Sequence, residues 1–146
     1  MDEDLARAAF DRAITSYEPE FGVFFLARFL DLHIDYPDER CVIEFPVHDF
    51  LFNPQGSLHG GIIATVMDIS MGHLLRHHYG QGGSTLQLNI QYVRALRKGT
   101  ARCEASFVHR GRSIAFLQTK LYDAPLRIAA SATSTWKVPM PAGERN

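Results

Sequence analysis

Residues 62–78, IIATVMDISMGHLLRHH, constrain the fold more than any other stretch of this chain. They read as a long helix, apolar around nearly the whole circumference of its first part, with Asp68 set between Met67 and Ile69. Such a helix cannot lie on a surface, because no face of it is polar enough to meet water; something must wrap it. Gly80, Gly82 and Gly83 end it, and the residues that follow supply the wrapping. Leu86, Leu88, Ile90 and Tyr92 alternate with Gln87, Asn89 and Gln91, a period of two that marks a strand. Stretches 101–109, 113–122 and 128–138 read as three more strands. Lys98-Gly99, Arg110-Gly111-Arg112 and Asp123-Ala124-Pro125 read as short turns joining antiparallel neighbours.

Upstream, Leu5, Ala8, Ala9, Arg12 and Ala13 stand at helical spacing, which predicts a helix over about 3–17, stopped by Pro19. The apolar residues Phe29, Leu30, Leu32 and Ile34 suit a strand, and Pro37-Asp38-Glu39 a turn. Cys41, Ile43, Phe45 and Val47 then alternate as a strand with one buried face. From 51 to 61 the chemistry is that of a loop, with Asn53-Pro54-Gln55-Gly56 and His59-Gly60-Gly61. The order of elements predicts an α+β fold, one curved antiparallel sheet packed around a central helix. At 146 residues the chain reads as a single domain over 1–146, with its N-terminal helix inside 1–20 and a flexible tail at 139–146.

A net charge of -1 gives no global field that would recruit nucleic acid or an anionic membrane, so neither is expected as a partner. An anionic ligand would have to be gripped locally, by arginines or backbone amides. The acidic, amphipathic start, MDEDLARAAFDRAITSYEPE, lacks the basic and apolar regions of a secretory signal, and no apolar run is long enough to cross a bilayer. The expected location is the cytoplasm, with Cys41 and Cys103 as buried free thiols.

Two features carry chemistry. Gly60 and Gly61 open the long helix, where glycine lets a ligand approach the backbone and the first amides have no partner of their own. The helix dipole adds positive potential there, so the position suits an oxygen that becomes negative in a transition state. Asp68 lies eight residues on, in apolar surroundings where an unpaired charge is costly, and it needs either a partner or a task. Eight residues of helix span about 12 Å, too far for Asp68 and Gly60 of one chain to serve one substrate atom. Two chains with antiparallel helices would bring one Asp68 to the other's Gly60, which predicts a dimer with two equivalent sites.

The pattern N-x-x-G-x-x-H-G-G from Asn53 to Gly61, followed after six residues by Asp68, resembles the PaaI-type branch of the hotdog-fold thioesterases. The strand LQLNIQY, the turn HRGRS and the closing SATSTW extend the resemblance from about Phe29 to Trp136. It implies a hotdog fold and hydrolysis of acyl-CoA to free acid and CoA. Asp68 would act as general base or nucleophile and the Gly60 amide of the partner as oxyanion donor. Asn53 and His59 would shape the loop and orient substrate or water, and Thr85 would hydrogen-bond the water or the carboxylate. Gly61, Arg110 and Arg112 would contact the substrate, the arginines through CoA phosphates. No metal or separate cofactor is implied, since CoA is part of the substrate; the assembly would be a homodimer or homotetramer. Gln87 replaces a frequently acidic residue, and Arg94-Ala95-Leu96 a segment that often holds proline.

Other patterns admit plainer readings. His73, His77 and His78 read as helix-end cations favoured by the dipole, since no glutamate or cysteine pair accompanies them as metal ligands. Arg94, Arg97, Lys98, Arg110 and Arg112 are either phosphate contacts or solvated turn charges. Phe24, Phe25 and Phe29 are either core or the lining of an acyl pocket. Two competing functions stand beside the hydrolase: a hotdog dehydratase or hydratase, whose His-Phe-Pro-like motif is missing here, and a non-catalytic acyl-CoA-binding module, which would be expected to lose Asp68.

Overall fold

The computed structural model of the chain describes residues 1–124 and 126–139. The expected tail beyond 139, and Pro125 of the last turn, lie outside the described residues. Helix α1 spans Glu3–Ser16 and a short α2 spans Phe25–Phe29. Strands β1 (His33–Asp35) and β2 (Cys41–Pro46) and a 3-10 turn at Asp49–Leu51 precede helix α3 (Gly60–Tyr79). Strands β3 (Ser84–Tyr92), β4 (Thr100–Arg110), β5 (Ile114–Tyr122) and β6 (Ile128–Lys137) complete the chain.

The six strands form one antiparallel sheet in the order β1-β2-β4-β5-β6-β3, curved around α3 in the hotdog arrangement. The helix is wrapped as its composition requires. Ile63, Val66, Met67, Met71, Leu74 and Leu75 are all at most 4% exposed and pack on Ile43, Phe45, Leu117 and Leu121 of the sheet. Burying each such side chain contributes about 1.5–3 kcal/mol. Gly72 brings helix and sheet close: a Cβ there would stand 3.2 Å from the Trp136 ring. Gly80 takes the left-handed conformation (φ 74°) that ends α3.

Two expectations need correction. The apolar run from Phe29 to Ile34 is mostly not strand: Phe29 ends α2, Asp31 turns the chain through a left-handed φ of 54°, and only His33–Asp35 pairs with β2. Alternating leucines cannot separate a strand from a helix end that buries the same residues. Nor does Lys98-Gly99 close a hairpin. Strand β3 pairs with β6, so the 93–99 segment crosses the end of the sheet to reach β4. Leu96 anchors that crossing, buried and accepting the Leu58 N–H through its carbonyl at 2.7 Å. The hairpins β4–β5 and β5–β6 are as expected.

The sheet's two edges differ. Strand β1 is three residues long, whereas β3 has nine, is paired on one side only and is mostly exposed. Its sequence, STLQLNIQY, has neither charge nor proline.

Candidate active site

Asp68 sits mid-helix on the wall of a cavity of about 570 Å³. Phe24, Ile69, Gly72 and Trp136 make that cavity mainly apolar, and Thr85 is the polar side chain facing the carboxylate. The Thr85 hydroxyl donates to Asp68 Oδ1 at 2.8 Å. Among the described residues no cation pairs with Asp68. Burial pushes its carboxyl above the ordinary carboxylate range, and the Thr85 hydrogen bond partly offsets this. The result is an acid with one hydroxyl partner and an apolar cavity in front of it.

A fault in the strand brings Thr85 there. Leu88, Ile90 and Tyr92 face the helix: the first two pack on the core and the Tyr92 hydroxyl donates to the Gly60 carbonyl at 3.0 Å. Strict alternation from these would turn Thr85 to the opposite face. A register shift between Thr85 and Gln87, with Leu86 as the extra residue, re-aims its hydroxyl at α3.

The other half of the predicted chemistry lies at the start of α3. His59 is the N-cap, and its Nδ1 accepts the Gly61 N–H at 2.9 Å. That bond leaves the ring proton of a neutral imidazole on Nε2. It also removes Gly61 from the free donors, while the Gly60 N–H has no partner among the described residues. No acidic residue occupies the first turn, so the positive end of the dipole is not neutralised. Asn53 holds the preceding loop: its Oδ1 accepts from the Gln55 N–H at 3.0 Å and the Ser57 N–H at 3.2 Å. Gly60, Asn53, Tyr92 and Arg94 line a second cavity of about 340 Å³, which shares no residue with that of Asp68. One chain therefore holds an acid and, at a separate opening, a helix-start amide without a partner among the described residues.

The remaining candidates disperse. Arg110 stands at the opposite end of α3 from Gly60 of the same chain, bound to Glu39 at 3.1 Å and beside His78 at 3.3 Å. Arg112 is exposed in the β4–β5 turn, without an ion pair among the described residues. Arg94 and Arg97 stand nearer Gly60, with Arg97 donating to the Gly56 carbonyl at 3.2 Å. The histidine triplet also needs correction, because His73 is no helix-end cation. It is 4% exposed, and burial, with help from the Arg76 charge, brings its imidazole down to about 4. Its Nδ1 meets the Tyr36 hydroxyl at 2.7 Å. Among the described residues no metal-binding group of histidine, cysteine or acid is assembled. Of the three phenylalanines, Phe24 lines the Asp68 cavity, while Phe25 and Phe29 stack on each other at 6.0 Å. Cys41 and Cys103 are buried free thiols, pushed up to about 12 and about 11 by that burial. Among the described residues, no helix is long and apolar enough to cross a membrane.

Residues 55–130 match the family model of the thioesterase superfamily. A Halobacterium salinarum protein provisionally named an esterase is 31% identical, over 69% of this chain and 70% of its own. A Bacillus halodurans protein solved with CoA superposes with a TM-score of 0.82 at 25% identity, covering 96% of this chain and 94% of that one. A phenylacetic acid degradation-related protein from Ralstonia eutropha superposes with a TM-score of 0.73 at 25% identity, covering 89% and 99%.

Proposed function

The chain belongs to the thioesterase superfamily, and we propose that it hydrolyses acyl-CoA thioesters to the free acid and CoA. The observation that carries this reading is Asp68: a carboxylate with no cation beside it among the described residues, raised by burial, facing an apolar cavity. A structural aspartate would be expected to end in a salt bridge or a backbone cap. The CoA in the Bacillus halodurans neighbour supports the leaving group.

In the reaction, the Asp68 carboxylate takes a proton from a water that attacks the thioester carbonyl, or attacks the carbonyl itself to give an acyl anhydride that water then hydrolyses. The Gly60 N–H of a second copy donates to the oxygen as it becomes negative. The thiolate of CoA leaves without an acid, because thiols are far more acidic than alcohols. Thr85 steadies the carboxylate, and Asn53 and His59 hold the loop that presents the amide. Arg94, which lines the Gly60 opening, and Arg97, which donates to the Gly56 carbonyl, would contact the CoA phosphates. Arg110 and Arg112 serve only where CoA held by a neighbouring copy reaches them. The acyl group fills the Asp68 cavity.

Free-thiol release from a panel of acyl-CoAs tests the reading. Wild type is expected to turn over at least one of them, and Asp68→Ala to lose about two orders of magnitude or more in kcat. Equal, slow rates in both proteins across short, medium and aromatic acyl groups would remove the enzyme claim.

A further inference from the structure

Beside the Asp68 cavity lies another, of about 420 Å³ and more polar, walled by Leu32, Ile34, Tyr36, Arg76 and His77. Among the described residues, two side chains face both cavities: Phe21 and His73. His73 is fixed, buried on α3 and tied to Tyr36. Phe21 is held differently. It sits on the segment between α1 and α2, is 46% exposed, and lies edge-on to the His73 ring at 5.4 Å. The Arg76 guanidinium covers it 4.6 Å from the ring centre. Across from it stands Gly82, where a Cβ would come within 2.6 Å of Phe21 Cζ; glycine there leaves room for the ring.

Phe21 is therefore a partition between two hollows, seated by one cation–π contact and one edge contact, each a modest interaction at an exposed site. It also lies outside residues 55–130, in a part of the chain that the family model does not reach. We propose that Phe21 sets the acyl length this chain accepts, an inference that rests on the thioesterase reading. With the ring in place, the Asp68 cavity takes short and medium acyl groups, its volume being that of an ordinary small-molecule site. A longer chain must displace the ring and enter the second hollow, and loses the binding that drives catalysis by doing so.

The test compares kcat/KM for butyryl-, hexanoyl-, dodecanoyl- and palmitoyl-CoA in wild type, Phe21→Ala and Phe21→Trp. Wild type is expected to favour the two shorter substrates. Phe21→Ala should raise the ratio of dodecanoyl to hexanoyl by about tenfold, because the longer chain no longer has to displace a ring. Phe21→Trp should lower that ratio. A uniform change across all four substrates in Phe21→Ala, as plain loss of packing would give, overturns the proposal, and so does an unchanged profile. If wild type releases thiol from none of them, the thioesterase reading itself has failed and the gate falls with it.

Discussion

Asp68 is subject to two opposed influences, and their balance fixes a pH dependence. Burial favours the neutral acid, while the Thr85 hydroxyl, donating at 2.8 Å, favours the carboxylate. In the proposed mechanism the working form is the carboxylate, so kcat/KM should fall as pH drops through a value above the ordinary carboxylate range. Thr85→Val removes the one influence that lowers that value. The acid limb of the pH–rate profile should move to higher pH; a limb that stays put or moves down would free Thr85 from this role. Gly60 allows an equally narrow test. It is the first residue of α3, where proline is well accommodated, and His59 before it already has the extended φ -60°, ψ 134° that proline demands. Gly60→Pro thus deletes one N–H and adds a ring whose Cβ would meet Tyr92 at 3.4 Å, an ordinary contact. The variant should melt like wild type while kcat drops by about 10²–10³, the usual cost of an oxyanion donor. Asp68 was legible in the sequence because an acid in a greasy helix stands out. Phe21 was not, because its importance lies in which two hollows it separates, and no local pattern encodes that. His73 was misread for a related reason: spacing put it near a helix end, but Tyr36 and Phe21, distant in sequence, bury it.

Strand β3 is an element with an unsatisfied side. Edge strands in monomers are kept short, charged or broken by proline, and β1 with its three residues follows that practice. Beyond the bulge at Leu86, the nine residues of β3 carry no such protection and leave Leu86 and Tyr92 more than half exposed. Such a strand is suited to pairing with its own copy across a two-fold axis, extending the sheet from one chain into the next. Lysines at outward positions should prevent this by facing one another across the axis. Asn89→Lys with Gln91→Lys is expected to sediment as a folded monomer without thioesterase activity. A double variant that is still dimeric and active would place the interface elsewhere. The alternation in β3 was plain from the residues, and so were β2 and the two hairpins. The bulge at Leu86 was not, since it depends on how β3 registers with β6, and neither was the crossing of 93–99, because a glycine turn looks the same whether its flanking strands pair or part.

At the level of the whole molecule, the Asp68 and Gly60 openings of one chain are separate, and the proposed mechanism assigns them to different sites. That division gives a test by complementation. Asp68→Asn and Gly60→Pro should each be inactive alone. After co-refolding, half the dimers are mixed, and each mixed dimer pairs the intact acid of one chain with the intact amide of the other. About a quarter of wild-type activity should then return. No recovery, with mixed dimers demonstrated by mass, would mean that each site is built within one chain.

The uncharged rim of β3 also has a consequence for supply. If the proposed site needs two copies, the chain is idle when scarce, and its output climbs faster than its abundance. Dilution alone would then switch it off, with no inhibitor involved.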